Sequence, residues 1–405
     1  MNEPSYYHKI YLRTKILFIS SHIDPFKSID GSYQRTNLLL KACCEFSDVD
    51  LIAFCSGVNS KIPNCKVIHS DNNDGIEKKE GRVSKFFRLC RPWDPYAVFP
   101  KDEYKANVVQ TAFLKTNYDL IVTRYIPKAM ECGLLEYAEK LVIDVDDLPS
   151  DALRGLSLTA KTLRNRIWYI LISLNARISS HIILKKIHYS FFPNPTQVYN
   201  QRSAYLPNIP FFEGKCIIEP DFNVLRKRVL FVGDLDYYPN YKGVNHFLEH
   251  VYVHVLKKVD DIEFHIVGNL TNKELRKRWE LIKGVKVLGF VDDLSQEYSE
   301  CRVVVVPVYH GGGTNIKLLE AFQMKRTSVA SDFATRGFKD VFKHDRELLV
   351  ADTDADFAGF LTELLIDENK NKRLANNGHN KVIKHFTFSV FSEIINTSLN
   401  INKGC

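Results

Sequence analysis

The segment Val303-Val304-Val305-Val306-Pro307-Val308-Tyr309-His310-Gly311-Gly312-Gly313-Thr314-Asn315-Ile316-Lys317-Leu318-Leu319-Glu320-Ala321-Phe322 constrains this chain more than any other. Its unbroken β-branched run reads as a strand buried on both faces, and the apolar spacing after the glycines reads as a helix. Between them, glycines let backbone approach a ligand with no Cβ in the way. Thr314 or Asn315 can cap a helix whose free N–H groups attract an anion. Lys317 and Glu320 stand one turn apart on a single helix face. A cation beside an anion site, with a carboxylate one turn deeper, suits a nucleotide diphosphate, the carboxylate accepting from ribose hydroxyls. The plainer alternative is a glycine turn capping an ordinary helix, with Lys317 and Glu320 paired on the surface.

Around this segment the pattern is α/β. At 405 residues, 45% hydrophobic and 25% charged, the chain can bury two separate cores. The first half opens with a strand at Lys15 to Ser20, a loop holding Gly31, a helix from about Tyr33 to Cys44 and a strand at Val49 to Phe54. That order is a right-handed parallel crossover, whose ligands lie at the carboxyl ends of strands, so Gly31 and Arg35 face the expected cleft. Further strands are expected at Tyr118 to Thr123, Leu141 to Ile143, Ile187 to Phe192 and Ala204 to Leu206, with a helix at Lys128 to Lys140. Phe211 to Asn223 reads as an irregular linker. The second half alternates strands at Val229 to Gly233, Glu263 to Val267, Val285 to Leu288, Arg302 to Val306, Ser328 to Ser331 and Leu348 to Val350 with helices, a doubly wound parallel sheet.

Two basic apolar stretches bear on partners. Lys78 to Arg91 interleaves Phe86, Phe87 and Leu89 and precedes Trp93; it reads as a solvated loop, or as a contact for a membrane or lipid-linked acceptor. The helix Leu158 to Ser179 sets Arg164, Arg166 and Arg177 against Ile167, Trp168, Ile170, Leu171 and Leu174. It is expected to turn its apolar face into the core, the alternative being a helix lying on an anionic membrane. The net charge of +7 fits anionic substrates or an anionic membrane surface better than nucleic acid, for which no motif is present. Nine scattered cysteines without a C-x-x-C pair suggest reduced core residues in a cytoplasmic protein, and no long apolar span or cleavage signal is evident.

Asp144-Val145-Asp146-Asp147 follows the strand at Leu141 and can be read as a D-x-D metal site or as an aspartyl nucleophile. Against the latter, Leu148 occupies the closing position of the D-x-D-x-[TV] pattern. Asp147 can also cap the turn before Pro149.

Gly311 to Glu320, followed by Thr327-Ser328-Val329-Ala330-Ser331 and Gly337, resembles the donor-site signature of retaining GT-B glycosyltransferases of the group-one class. The resemblance covers most of the chain and is strongest from Val229 to His385. It implies two Rossmann-like domains facing a cleft: 1–215 on the acceptor side, 216–385 on the nucleotide-sugar side, and a helix at 386–405 returning to the first domain. It gives Asp144 a third reading, adopted here, as a polar cleft residue at a strand end. Gly31 to Arg35 resembles the family's glycine turn and Arg, and Leu206-Pro207-Asn208 resembles the segment closing the first domain. Gly233 at a strand end, Lys242-Gly243, and Gly289-Phe290-Val291 match the positions that hold the diphosphate and read the base.

Two departures stand out. Gly312 occupies the place where many members carry a first Glu, and Asp234-Leu235-Asp236 replaces a usual Arg. The resemblance implies a retaining, metal-independent transferase that needs no cofactor beyond a UDP- or GDP-sugar donor and acts on a glycan or lipid-linked saccharide of bacterial surface polysaccharide, with the departing phosphate taking the acceptor's proton. Lys317, Lys242, Glu320 and Asp144 carry its chemistry, and peripheral contact with the inner face of the plasma membrane is compatible with it. A silent relative binding glycan or a partner enzyme, and a metal-dependent transferase or phosphatase using Asp144 and Asp146, are the alternatives.

Overall fold

A computed structural model of the chain describes residues 13–27, 31–60, 62–71, 91–160, 162–198, 200–210 and 227–400. The first sheet holds β1 (Thr14–Ser20), β2 (Ser47–Ala53), β3 (Cys65–Ser70), β4 (Leu120–Arg124), β5 (Leu141–Asp144), β6 (Tyr189–Phe192) and β7 (Ser203–Tyr205). The second holds β8 (Lys227–Val232), β9 (Ile262–Val267), β10 (Val285–Gly289), β11 (Val303–Val306), β12 (Thr327–Ser331) and β13 (Leu349–Ala351). Their orders are β3-β2-β1-β4-β5-β6-β7 and β10-β9-β8-β11-β12-β13, and the ladders are parallel. In each sheet the order reverses beside the first strand, which opens a crevice between the loops at the strands' carboxyl ends.

Parallel strands are covered on both faces, hence the apolar runs: all four residues of β11 are fully buried, as are Ile16, Leu17 and Phe18 of β1. Helices lie on both sides of each sheet and four apolar clusters fill the layers between. The helix Phe388–Leu399 returns as expected, placing Phe391, Ile395 and Leu399 in one cluster with Phe18, Leu39, Leu40 and Val122. This is the GT-B architecture.

Several local expectations are corrected. Strand β3 had no expectation, since Cys65–Ser70 lies at a sheet edge with a mixed, half-buried pattern. The helix expected over Lys128 to Lys140 breaks at Gly133, whose φ of 71° ends Ile126–Glu131 before a 3-10 turn at Leu134–Lys140. The helix expected from Leu158 to Ser179 is two, Pro149–Thr159 and Leu163–Lys186. Moreover, the apolar face of the second points to solvent over much of its length, with Ile167, Ile170, Leu171 and Leu174 all exposed. The core takes its opposite, small-residue face through Ala176, Ser179 and Ser180. The expected linker and all but the last residue of the basic stretch from Lys78 to Arg91 lie outside the described residues.

The fold predicts that Phe391→Ala, which removes a fully buried ring anchoring the returning helix, lowers unfolding free energy by about 3–5 kcal/mol. Urea unfolding checks this; a loss under about 1 kcal/mol is what surface residues give and contradicts the anchoring role.

Candidate functional site

The site begins where β11 meets the reversal of strand order. Beyond Pro307 the chain turns through Gly311 and Gly313 with φ of 125° and 64°, left-handed values open to glycine. Arg336 Nη2 donates to the carbonyls of Gly311 (3.2 Å) and Gly313 (2.5 Å), pinning the turn from behind. The helix Ile316–Gln323 starts next. Asn315 sits at its N-cap, yet its Nδ2 donates to the Ala334 carbonyl at 3.0 Å, and among the described residues no side chain caps the helix start. Backbone N–H groups and the positive end of the helix dipole therefore face the crevice. Thr314 spends its hydroxyl on the first domain, accepting from Asn208 Nδ2 at 2.7 Å.

Lys317 comes off this helix toward the end of β8. Its Nζ lies over the Phe231 ring at 5.7 Å and donates weakly to Asn240 Oδ1 at 3.4 Å, and its Cε would lie 3.3 Å from a Cβ placed on Gly233. Asn240 is itself held by Nδ2 donating to the Asp234 carbonyl at 2.8 Å. Burial pushes the Lys317 ammonium down to about 8, against the opposing pull of Glu320. Glu320 is only 4% exposed and accepts from the Tyr298 hydroxyl at 3.0 Å; burial raises its carboxyl above the usual range. A surface ion pair does not describe these two residues. Lys317 is a cation with no carboxylate at salt-bridge distance among the described residues, poised beside uncapped amides.

Lys242 is placed differently. It is exposed, its Nζ over the Tyr238 and Tyr241 rings at 5.6 and 5.5 Å, with no hydrogen bond among the described residues. Its neighbour Gly243 explains the helix position: a Cβ there would meet the Pro307 carbonyl oxygen at 1.9 Å. Phe290 and Val291 follow β10, with Phe290 well exposed.

The first domain supplies the opposite wall. Gly31 opens the helix Gly31–Phe46. Arg35 and Asp144, expected to face the cleft, are instead 3% and 0% exposed and bound to each other, Arg35 Nη2 and Nε reaching the two carboxylate oxygens at 2.7 and 2.8 Å. Arg124 Nε adds a third donor at 2.8 Å, and Arg35 also reaches the Leu206 and Pro207 carbonyls and Asn208 Oδ1. Burial alone would raise the Asp144 carboxyl, but the two guanidiniums hold it below the ordinary range. Both its oxygens are committed to arginine, so here Asp144 is a structural anion that fixes the wall.

The wall's working face comes from the residues beyond it. Tyr125 and Asp146, at the ends of β4 and β5, have φ of 65° and 57°, strained values for non-glycine residues that cluster at functional sites. They are tied together by Tyr125 Oη donating to Asp146 at 3.2 Å, with Arg124 Nη2 on the same carboxylate at 2.6 Å. Asp147 then crosses to the second domain. A Cβ on Gly312 would lie 2.7 Å from Asp147 Oδ2, and the Gly313 N–H donates to this carboxylate. A carboxylate thus stands over the residue where a first Glu is missing. Burial and the Asp146 charge push the Asp147 carboxyl up to about 6, against the Gly313 N–H and Arg336.

Sequence reasoning missed Asn240, Tyr298, Arg124, Tyr125 and Arg336, and the destination of Asp147. Arg124, Tyr125 and Asp147 carried the signal of a strand-end position, whereas Asn240, Tyr298 and Arg336 lie in or just after helices and carried none.

Because Asp147 has its folded pKa above the ordinary carboxylate value, the folded protein holds a proton that the unfolded chain releases. Its contribution to stability therefore falls as pH rises from about 4 to about 6. Asp147→Asn should remove that decline. Urea midpoints of parent and variant across this window check it, and profiles that differ only by a constant offset contradict it.

Residues 226–367 match the family model described as glycosyl transferases group 1. Among curated proteins, an uncharacterized 44.6 kDa protein in the cps region of Klebsiella pneumoniae is 25% identical over 182 residues, a match spanning 43% of this chain and 46% of that relative's length. Among solved structures, sucrose-phosphate synthase from Thermosynechococcus elongatus is similar at a TM-score of 0.68 and 16% identity, covering 96% of this chain and 98% of its own. HepE of Anabaena, solved with UDP and glucose, is similar at 0.64 and 17%, covering 96% and 100%. WaaG, a glycosyltransferase involved in lipopolysaccharide biosynthesis, is similar at 0.59 and 13%, also covering 96% and 100%. At these identities the structural likeness is one of fold.

Proposed function

We propose that this chain, a GT-B protein whose second domain matches the group 1 glycosyl transferases, moves a sugar from a nucleotide donor to a glycan or lipid-linked saccharide, with retention at the anomeric carbon. The observation that carries the reading is Lys317, held without a salt-bridge partner among the described residues, beside the uncapped start of a helix that follows a glycine turn at the point where strand order reverses. As the bond from the anomeric carbon to the β-phosphate oxygen breaks, negative charge grows on the diphosphate. Groups already aimed there lower the barrier without reorganising. The acceptor oxygen bonds to the anomeric carbon and its proton leaves on the departing phosphate.

Lys317 and the amides of Gly311, Thr314 and Asn315 take the diphosphate in this reading, the Gly312 N–H being held by Tyr237 Oη at 3.3 Å and the Gly313 N–H by Asp147. Asp147 accepts from hydroxyls of the transferred sugar, Gly289, Phe290 and Val291 line the base, and Lys242 supplies long-range positive potential. UDP-sugars are the donors to test first, since HepE is solved with UDP and glucose. The match to a cps-region protein supports surface polysaccharide as the product class.

Lys317→Ala should cut turnover about ten- to a hundredfold, the worth of one hydrogen bond to a charged group, with thermal stability unchanged. Turnover should survive excess chelator, because charge neutralisation is assigned to lysine and amides. Rates within twofold of the parent, or loss restored by Mg²⁺, contradict the assignment and favour the metal-dependent reading.

Glu320, one turn or about 4.5 Å deeper along the helix, should bind the ribose. In calorimetric titration, UDP should bind the parent more tightly than its 2′,3′-dideoxy analogue by roughly 1–3 kcal/mol. Glu320→Ala should bind both alike; an undiminished preference for the ribose form removes Glu320 from the site.

A further inference from the structure

We propose that the exposed face of helix Leu163–Lys186 docks this protein on an anionic lipid bilayer. Leu163, Ile167, Ile170, Leu171, Leu174 and Ile178 follow the spacing i, i+4, i+7, i+8, i+11, i+15, which is one continuous helical stripe. Each is between 43% and 72% exposed. The side of the helix that contacts the fold is the opposite one, carried by Ala176, Ser179, Ser180, Ile183 and Leu184. A helix in a soluble protein normally buries its apolar stripe and shows water its small and polar residues. Here the orientation is reversed, and an exposed stripe rimmed by polar groups marks an interaction site.

Charge selects the occupant. Between residues 149 and 186 the sequence holds one acid, Asp151, against seven Lys or Arg. Helical geometry puts Arg166 and Arg177 along one border of the stripe and Arg164 along the other, so the apolar face is rimmed by cations on both sides. A second copy docking face to face would bring these arginines against their own kind. An acidic headgroup layer over an acyl region meets both features, the arginines reaching phosphates while the leucines and isoleucines enter the headgroup boundary. The neighbouring helix Pro149–Thr159 packs alongside and adds the exposed Leu158. By length and composition Leu163–Lys186 could cross a membrane. Its final turns are sealed in the first domain's core through Ile183 and Leu184, so it lies on a surface instead of spanning one.

Sheet topology places this helix between β5 and β6, after the Asp146–Asp147 loop and the helix Pro149–Thr159 against which it packs. A bilayer-bound helix would therefore hold the cleft near a lipid-linked acceptor, the class already proposed. The docking itself does not depend on that reading, because its test measures binding and not transfer.

The full chain is sedimented with vesicles of phosphatidylcholine alone and of phosphatidylcholine mixed with phosphatidylglycerol. The expected result is binding to the mixed vesicles that weakens as salt rises. Leu171→Asp with Leu174→Asp should weaken it by about tenfold or more, and so should Arg164→Glu with Arg166→Glu. All four residues are exposed, so the variants should keep the parent's melting temperature and its UDP affinity. No binding of the parent to the mixed vesicles overturns the proposal. So does binding that neither pair alters, or a solution dimer that the Leu171→Asp and Leu174→Asp pair dissolves.

Discussion

The carboxylate of Asp144, sealed from water between two guanidiniums, is the interaction on which the cleft depends. A buried ion is costly unless its lone pairs are met, and here Arg35 and Arg124 meet both oxygens. Arg35 comes from the helix after β1, Arg124 from the end of β4, and Asp144 from the end of β5. Through Arg35 the network also grips the Leu206-Pro207-Asn208 segment, whose Asn208 reaches Thr314 beside the glycine turn. One charge cluster thus fixes three strand ends and a contact between the two domains. Removing one partner would leave a buried charge uncompensated, which is why such clusters are hard to change piecemeal.

From that fixed wall the next residues are free to serve the cleft. Asp146 and Tyr125 hold strained backbone because Arg124 and their mutual hydrogen bond over-determine them. The strain aims Asp147 across the gap at Gly312 and Gly313. On the other side, Lys317 is kept ready by poor solvation: Asn240 is a weak partner at 3.4 Å, and burial has already lowered its pKa. A diphosphate entering there meets a cation with little to give up.

Much of this was legible in the sequence, because it depends on local periodicity. The β-branched run of β11, the glycines and the spacing of Lys317 and Glu320 place strand, turn and helix without tertiary information. The two-sheet architecture followed from alternating strands and helices. What was not legible depends on which way a side chain points. The sequence places Arg35 and Asp144 in the cleft because loops and helix starts at strand ends usually face ligands, but a pair of opposite charges close enough to bond satisfies itself. The apolar stripe of the helix expected over Leu158 to Ser179 is expected to be buried because that is the usual fate of such a stripe, and only the fold shows the reverse. Asn240 carries no motif of its own and acquires a role only when the helix Tyr238–Phe247 packs against the end of β11.

The central claim is that Lys317 is an under-solvated cation waiting for a diphosphate. Calorimetry of UDP binding near pH 8, repeated in buffers of differing ionisation enthalpy, tests it most directly. With its pKa at about 8, Lys317 should take up a fraction of a proton as the diphosphate binds, so the observed enthalpy should vary linearly with the buffer's ionisation enthalpy. That dependence should vanish in Lys317→Met. An enthalpy that is the same in every buffer for the parent, or a dependence that persists in Lys317→Met, would contradict the account.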